Sequence, residues 1–286
     1  MIARFIHDRV KDWIRDRVAP MPIDLMKYFR YQGNSASYLI PRTPAPPQGF
    51  CSQGLPIPPS SFFINYKTSD EYLKWGQKDT GTMLEVLDKA GRALQAGHRV
   101  LDFGCSGGRM IRWLKEYSAG CEIWGTDISA AHILWCKQYL RPHFHFLVST
   151  TLPHLPFEDR YFDLIYCGSV FTHIEDLADA WLLELRRILK PGGLLYVTIH
   201  DENTVRLLAQ ERHHALAKKM TANEKYNEYV QSDYGVFTVY RGPDSQVFYH
   251  RDYFCRMVSP AFRVLSVAPE AYGYQTAMLL EKTAMR

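Results

Sequence analysis

Residues 100–110 read Val-Leu-Asp-Phe-Gly-Cys-Ser-Gly-Gly-Arg-Met, an apolar run that enters a glycine-rich turn and continues into a helical pattern. Glycines at such a turn let the backbone approach a ligand closely, and the N-terminus of the helix that follows presents unpaired N–H groups to it. Asp127 ends the next predicted strand, where a carboxylate can accept hydrogen bonds from both hydroxyls of a ribose. The turn and this acid together predict a site for an adenosine-containing cofactor.

From residue 98 onward the chain alternates between predicted strands and predicted helices. The predicted strands span residues 99–103, 122–126, 143–148, 161–167, 194–199, 262–268 and 276–282, with a hairpin at 236–240 and 246–249. The helical patterns lie at 69–76, 79–95, 110–117, 130–140, 176–189, 203–230 and 250–258. This order is typical of an α/β protein with a doubly wound, mostly parallel sheet that helices cover on both faces.

The chain is predicted to consist of an N-terminal extension, residues 1–65, and a main domain, residues 66–286, in which residues 201–250 form an insertion on the substrate side. Residues 1–19 have the apolar spacing of an amphipathic helix, and residues 41–60 are a connector too rich in Pro, Gly and Ser for a regular element. Three interpretations of the helix stay open: packing on the main domain, a lid over a pocket, or contact with a membrane surface.

The composition narrows the function classes. The 34 basic residues exceed the 30 acidic ones by only four, without a block of like charge, which disfavours nucleic acid as a partner. No apolar run is long enough for a transmembrane helix, and no signal peptide is recognisable. The six cysteines lack C-x-x-C spacing, so we expect no metal site and a cytoplasmic location. The pattern does not indicate an oligomeric state.

Two other enzyme classes use a glycine-rich turn between a strand and a helix. An NAD-dependent oxidoreductase would need glycines where Ser106 and Arg109 stand, and Asp102 would repel a pyrophosphate while attracting an ammonium group. A serine hydrolase is suggested by Gly104–Gly108, which matches the nucleophile-elbow pattern G-x-S-x-G, with His200 as a later base. A nucleophile elbow normally follows several strands of the same sheet, and no series of predicted strands precedes this turn. Both enzyme classes are therefore weaker interpretations of the turn than an enzyme whose cofactor carries an amino-acid group.

Most of residues 70–284 resembles the class I, Rossmann-like methyltransferases that depend on S-adenosylmethionine. The matching segments are VLDFGCSGGRM (100–110), GTDIS (125–129), LPFEDRYFDLIYCGSVFTHI (155–174) and LRRILKPGGLLYVTIH (185–200). The combination of Phe-Gly-Cys, Trp-Cys and Ser-Val-Phe-Thr-His resembles a bacterial branch that acts on small molecules. The resemblance implies a seven-stranded, mostly parallel sheet with an antiparallel last strand, and S-adenosylmethionine as cofactor.

The resemblance also implies which residues bind the cofactor. They are Asp102, Gly104, Cys105, Ser106, Gly108, Asp127, Ile128, Thr150, Thr151 and Cys167. Two positions depart from the family pattern. Ser106 stands where the family usually has glycine, and residues 149–154 contain no carboxylate for the adenine amino group. We therefore expect Thr150, Thr151 or backbone groups to contact adenine.

Methyl transfer to a hydroxyl oxygen often needs a general base, and ligands of such a sheet bind beyond the carboxyl ends of its strands. His173 follows the fourth predicted strand and His200 the fifth, so both are candidate catalytic bases. We expect transfer to a small or lipid-like acceptor in an apolar pocket. The side chains expected to wall this pocket are Phe29, Tyr31, Tyr234 or Tyr249. The alternative is a protein that keeps the fold and binds the cofactor without catalysis.

Overall fold

The computed structural model describes residues 42–174, 176–240 and 245–284. Its strands are β1 (Gly49–Phe50), β2 (Pro56–Ile57), β3 (Arg99–Phe103), β4 (Glu122–Asp127), β5 (His145–Val148), β6 (Phe162–Cys167), β7 (Leu189–Ile199), β8 (Val236–Val239), β9 (Gln246–Tyr249), β10 (Phe262–Tyr272) and β11 (Gln275–Lys282). Seven of them form one sheet with the order β10–β11–β7–β6–β3–β4–β5. Strands β3 to β7 are parallel, whereas β11 pairs antiparallel with β7 and β10. The predicted fold class is confirmed.

Helices cover both faces of this sheet because the side chains of each buried strand alternate between the faces. The helices are α1 (Ser69–Lys89), α2 (Ala130–Tyr139), α3 (Ala178–Ile188), α4 (Glu202–Gln210), α5 (Ala215–Thr221), α6 (Glu224–Val230) and α7 (Arg251–Val258). Val100 of β3 belongs to the core that includes Met83 of α1 and Ile133 of α2. The next residue, Leu101, belongs to a second core that includes Leu185 of α3. The structure therefore has three layers, with the sheet in the middle.

The segment before α1 belongs to the first of these cores. Leu55, Ile57 and Phe63 are buried there, next to the short β1–β2 hairpin. The guanidinium of Arg112 donates a hydrogen bond to the carbonyl oxygen of Pro56 at 2.9 Å. The predicted boundary after residue 65 therefore does not coincide with a break in packing. The predicted helix at 1–19, together with Phe29 and Tyr31, lies outside the described residues.

Residues 201–240 and 245–250 form a small packed unit that follows β7. Its own core contains Leu208 of α4, Met220 of α5, Tyr226 of α6 and Phe248 of β9. The side chains of β9 point alternately to its two faces. Phe248 therefore packs in this unit, while the neighbouring Tyr249 packs in the second core of the main sheet. Tyr249 packs edge-on against Phe254, with 5.1 Å between ring centroids, rather than at a pocket wall as expected.

Several predicted elements differ in extent from those observed. Residues 69–89 form one helix where two are predicted, and it ends where Gly91 adopts a left-handed φ of 69°. The segment Ile111–Ala119 is a 3₁₀ helix. The predicted helical stretch 203–230 is three helices, because the side chains of His214 and Asn223 cap new N-termini.

The sequence predicts neither a transmembrane helix nor a metal site. Within residues 42–174, 176–240 and 245–284, no helix combines the length and apolar character needed to cross a bilayer. The same residues contain no group of three or more His, Cys, Asp or Glu side chains that could hold a metal ion.

Candidate active site

The glycine-rich turn leaves β3 at the carboxyl edge of the sheet and folds over the end of β4. Gly104 and Gly108 adopt left-handed φ angles of 86° and 79°, which side chains with a Cβ rarely tolerate. The carbonyl oxygen of Thr126 accepts hydrogen bonds from the N–H groups of Gly104 (2.8 Å) and Cys105 (2.9 Å). Ser106, which replaces the family's usual glycine, is also left-handed at 48°. The turn therefore keeps a glycine-like backbone path at Ser106.

Asp127 holds the turn and the start of the next helix together. Its Oδ2 accepts a hydrogen bond from the Ser106 N–H at 2.8 Å, and its Oδ1 accepts one from the Ser129 N–H at 2.8 Å. Burial raises the pKa of this carboxyl, while the two N–H groups and nearby His132 lower it. Each carboxylate oxygen keeps a further lone pair, so Asp127 can still accept hydrogen bonds from a ribose.

Asp102 lies on β3 two residues before the turn and is only 3% exposed. Burial raises its pKa to about 7, against the lowering effects of the Tyr166 hydroxyl and the Arg109 guanidinium. Its Oδ2 has no hydrogen-bond partner among the described residues. A buried carboxylate with an unsatisfied oxygen is costly alone and favours a cationic partner. This observation fits the ammonium group of an amino-acid cofactor.

Side chains from distant segments pack on the turn. A Cβ at Gly107 would lie 3.3 Å from Phe62 Cβ and 3.4 Å from Tyr72 Oη. The Phe62 ring also contacts the His132 ring, with 4.1 Å between centroids, and His132 Nδ1 lies 3.1 Å from Ser106 Oγ. Sequence reasoning missed Phe62 and His132 as site residues, because no motif marks a contact between residues so far apart in the chain.

The other predicted cofactor residues lie on the same edge of the sheet. Ser149, directly after β5, donates its N–H to the carbonyl oxygen of Asp127 at 2.9 Å, and Thr150 and Thr151 follow it in the chain. The hydroxyl of Thr150 accepts a hydrogen bond from the Leu152 N–H at 3.2 Å. Cys167 is buried, its thiol donates to the Tyr196 carbonyl oxygen at 3.5 Å, and burial raises its pKa. The structure therefore brings the predicted strand-end residues together, and Ile128 follows Asp127 directly.

The two candidate bases differ sharply in environment. His200, at the end of β7, is 1% exposed and lies between the rings of Phe248 and Tyr274, with centroids at 4.9 Å and 5.5 Å. Burial, and then nearby His173, lower its pKa to about 3, and its Nε2 lies 3.2 Å from Gln246 Oε1. His173 is exposed and its Nδ1 donates a hydrogen bond to the Ser245 carbonyl oxygen at 2.7 Å.

Three polar residues form a hydrogen-bonded ring where β6 and β7 end and β11 begins, and Thr172 is attached to this ring. The Thr198 hydroxyl accepts from the Ser169 N–H at 2.7 Å and donates to Gln275 Oε1 at 2.6 Å. Gln275 Nε2 donates to Ser169 Oγ at 2.8 Å, and Ser169 Oγ lies 3.1 Å from Thr172 Oγ1. Ser169 has a left-handed φ of 59°. No motif in the sequence marks this ring, because Gln275 joins it from the far end of the chain.

A buried ion pair connects the end of the glycine-rich turn to α1. Arg109 Nη1 donates to Asp79 Oδ2 of α1 at 2.6 Å, and Arg109 Nη2 donates to the Tyr272 hydroxyl. The Arg109 guanidinium also lies 5.3 Å from the centroid of the Tyr66 ring. The pair therefore joins the turn to α1 and to the β10–β11 hairpin.

Comparison with known proteins agrees with this geometry. Residues 101–197 match the family described as a methyltransferase domain. This part of the chain belongs to a methyltransferase domain. The predicted family, enzyme class and cofactor, S-adenosylmethionine, are thereby confirmed for this domain, and neither the oxidoreductase nor the hydrolase alternative is supported.

The chain is also similar to individual methyltransferases in sequence and to a solved structure in fold. Methyltransferase GfsG of Streptomyces halstedii is 31% identical over 132 residues, which cover 45% of each chain. The ubiquinone/menaquinone biosynthesis C-methyltransferase UbiE of Chromobacterium violaceum is 34% identical over 36% of this chain and 43% of its own. The chain therefore spans less than half the length of these relatives. The solved PH0226 protein of Pyrococcus horikoshii has a TM-score of 0.55 at 18% identity, over 78% of this chain and 99% of its own, which supports the fold.

Proposed function

We propose that the whole chain transfers a methyl group from S-adenosylmethionine to a small-molecule acceptor bound at the carboxyl edge of the sheet. The observation that carries this proposal is Asp127, whose two carboxylate oxygens accept backbone N–H groups of Ser106 and Ser129 and keep lone pairs for a ribose. The similarity to methyltransferases supports the reaction type. The methyl acceptors of those relatives are not assigned to this chain.

The proposed roles of the chain's residues follow from their positions. S-adenosylmethionine, when bound, supplies an electrophilic methyl group on a sulfonium. Asp102 would bind the ammonium group of its amino-acid part and Asp127 its ribose, while Thr150 and Thr151 would lie next to adenine. Phe62 and Tyr72 pack on the turn and would limit the access of water to it. This arrangement acts by orientation and desolvation, which is what an in-line displacement requires.

For the acceptor atom, we propose a hydroxyl oxygen. The polar ring of Ser169, Thr198 and Gln275 at the strand ends offers donors and acceptors that can orient a hydroxyl. His173 is the stronger candidate base, because its imidazole is exposed whereas that of His200 is buried. His200, whose pKa is about 3, is a weaker base, and we assign it a positioning role between Phe248 and Tyr274. Tyr234 is half-buried in the insertion and remains a proposed wall of a small or lipid-like substrate's pocket.

A carbon acceptor is the second candidate, and one observation favours it. The C-methyltransferase UbiE of Chromobacterium violaceum is 34% identical to this chain over 109 residues. A carbon nucleophile stabilised by its own conjugated system needs less help from a protein base than an alcohol does. Loss of the imidazole in His173→Ala is therefore expected to lower kcat strongly for a hydroxyl acceptor and weakly for a carbon acceptor.

The test is to incubate the purified full-length protein with S-adenosylmethionine labelled in its methyl group and with a small-molecule cell extract. We expect one labelled product, whose methyl resonance distinguishes an O-methyl from a C-methyl group. Asp127→Asn should weaken binding of S-adenosylhomocysteine by about tenfold or more, since it removes charge-assisted hydrogen bonds. Asp88→Asn, an exposed change at the end of α1, is the matched control and should leave binding unchanged.

Two results would contradict the proposal. Unchanged cofactor affinity in Asp127→Asn would remove the ribose assignment. Tight binding of S-adenosylhomocysteine without transfer to any component of several extracts would favour a non-catalytic cofactor-binding protein instead.

A further inference from the structure

A cavity of about 310 Å³ lies at the edge of the sheet opposite the cofactor turn. It is bounded by the end of α3, the loop before β6 and the last residues of β11. The lining residues are Asp159, Arg160, Leu183, Arg186, Arg187 and Lys282. Four of these six side chains are cationic, so the cavity has an excess of positive charge.

Arg187 is neutralised by carboxylates. Its Nε and Nη2 donate to the two oxygens of Glu184 at 2.8 Å and 2.7 Å, and its Nη1 donates to Asp159 Oδ1 at 2.8 Å. Glu184 and Asp159 are therefore both hydrogen-bonded to Arg187. Asp159 also attracts Lys282 at longer range, outside ion-pair distance.

The other three cations have no carboxylate within ion-pair distance among the described residues. Arg186 donates only to the carbonyl oxygens of Ala261 (3.2 Å) and Thr283 (2.7 Å). Lys282 Nζ donates to the Leu189 carbonyl oxygen at 2.6 Å. Arg186 and Lys282 are each only 9% exposed, while the Arg160 side chain is exposed.

The acid next to Lys282 in the chain does not compensate it. Glu281 is paired with Arg92 and Arg263, whose guanidinium groups donate to its two oxygens. Buried cations whose partners are neutral carbonyls are electrostatically costly, and a bound anion would remove this cost. Burial, and then Arg186 and Arg160, lower the pKa of Lys282, while Asp159 raises it by less.

We propose that this cavity is a binding site for a phosphoryl group, separate from the methyl-transfer site. A phosphate dianion would offset two of the three positive charges of Arg160, Arg186 and Lys282, and planar guanidinium groups match its oxygens. The cavity volume is at the lower end of small-molecule sites, which suits inorganic phosphate, pyrophosphate or a single phosphate-bearing headgroup.

The test is calorimetric titration of the full-length protein with sodium phosphate and with pyrophosphate, at an ionic strength held constant with sodium chloride. We expect saturable binding that weakens about tenfold or more in Arg160→Gln, the loss expected for one charge-assisted hydrogen bond. Lys282→Met should weaken binding similarly, and its folding is checked by thermal melting. Arg206→Gln removes an exposed arginine of α4 elsewhere on the surface and should leave the affinity unchanged.

A second arm distinguishes the source of the phosphoryl group. Co-sedimentation uses phosphatidylcholine vesicles with and without phosphatidic acid. Arg160-dependent binding to the acidic vesicles, with weak binding of the free ions, would assign a lipid headgroup, and the reverse would assign a soluble ligand. The proposal is overturned if neither arm shows binding, or if Arg206→Gln weakens it as much as Arg160→Gln does.

Discussion

At the scale of single residues, the cofactor site depends on two carboxylates in different environments. Asp127 has both oxygens bonded to backbone N–H groups, whereas Asp102 is buried with one oxygen lacking a partner. A hydrogen-bonded carboxylate stays ionised more readily than a buried one without partners. The two acids therefore respond differently to pH.

For Asp102, we predict a pH dependence centred near neutrality. Its folded-state pKa of about 7 lies above its ordinary value, so the folded protein binds a proton there that the unfolded chain has lost. Its contribution to stability therefore falls as pH rises from about 4 to about 7. An ammonium ligand needs the ionised form, so affinity for S-adenosylhomocysteine should fall by up to about tenfold per pH unit below 7.

Calorimetry of the wild type and of Asp102→Asn across pH 5 to 8 checks this expectation. The variant should bind S-adenosylhomocysteine weakly at every pH, and only the affinity of the wild type should rise with pH. Parallel pH profiles for both proteins would assign the dependence to other groups, such as the Asp127–His132 pair.

Ser106 gives a second prediction at this scale. Its left-handed φ of 48° costs a residue with a Cβ roughly 1–2 kcal/mol, and glycine removes this cost. Ser106→Gly also removes the contact with His132 Nδ1, so we expect a small net change in melting temperature and unchanged affinity for S-adenosylhomocysteine. Labelling of Ser106 by a fluorophosphonate, followed by mass spectrometry, would contradict its non-nucleophilic role.

At the scale of secondary structure elements, the insertion depends on how α4 begins after β7. The Asp201 side chain accepts hydrogen bonds from the N–H groups of Asn203 and Thr204, at 3.0 Å and 3.2 Å. Thr204 Oγ1 accepts the Asp201 N–H in return, which completes a capping box. The same carboxylate pairs with Arg251 Nε of α7 at 3.1 Å. This residue therefore joins the insertion to the main domain.

We predict that Asp201→Ala lowers the free energy of unfolding by about 2 kcal/mol or more, because it removes a helix cap and leaves Arg251 without this partner. Asn223→Ala is the matched control. It removes only the cap of α6, a 3.1 Å bond to the Tyr226 N–H, and should cost about 1 kcal/mol. Urea unfolding of both variants checks the difference, and equal losses would mean that the ion pair with Arg251 contributes nothing.

At the scale of the whole molecule, the site is assembled from segments that lie far apart in the chain. Phe62 before α1, the β3 turn, the ends of β6 and β7, and Gln275 of β11 all meet at the carboxyl edge of the sheet. The buried pair of Arg109 and Asp79 holds α1 against this edge. Deletions should therefore affect folding and activity to different degrees.

We predict different outcomes for two N-terminal deletions. Removal of residues 1–41 keeps all described core residues, so the protein should fold and bind S-adenosylhomocysteine, but lose methyl transfer if Phe29 and Tyr31 wall the pocket. Removal of residues 1–65 also deletes buried Leu55, Ile57 and Phe63, each worth roughly 2–5 kcal/mol, and should prevent stable folding. Melting curves and transfer assays check both. Full transfer activity without residues 1–41 would show that they do not build the site.

The sequence by itself determined the features that depend on local physics. The glycines of the turn were recognisable because left-handed backbone angles exclude most side chains, and the strands because burial on two faces imposes their apolar runs. Asp102 and Asp127 followed from their positions at strand ends. Only the tertiary structure decided that His200 is buried between two rings, that Gln275 closes a polar ring with a residue 106 positions away, and that Lys282 meets Arg186 at a cavity. These contacts depend on strand order and packing between distant segments, which no local pattern encodes.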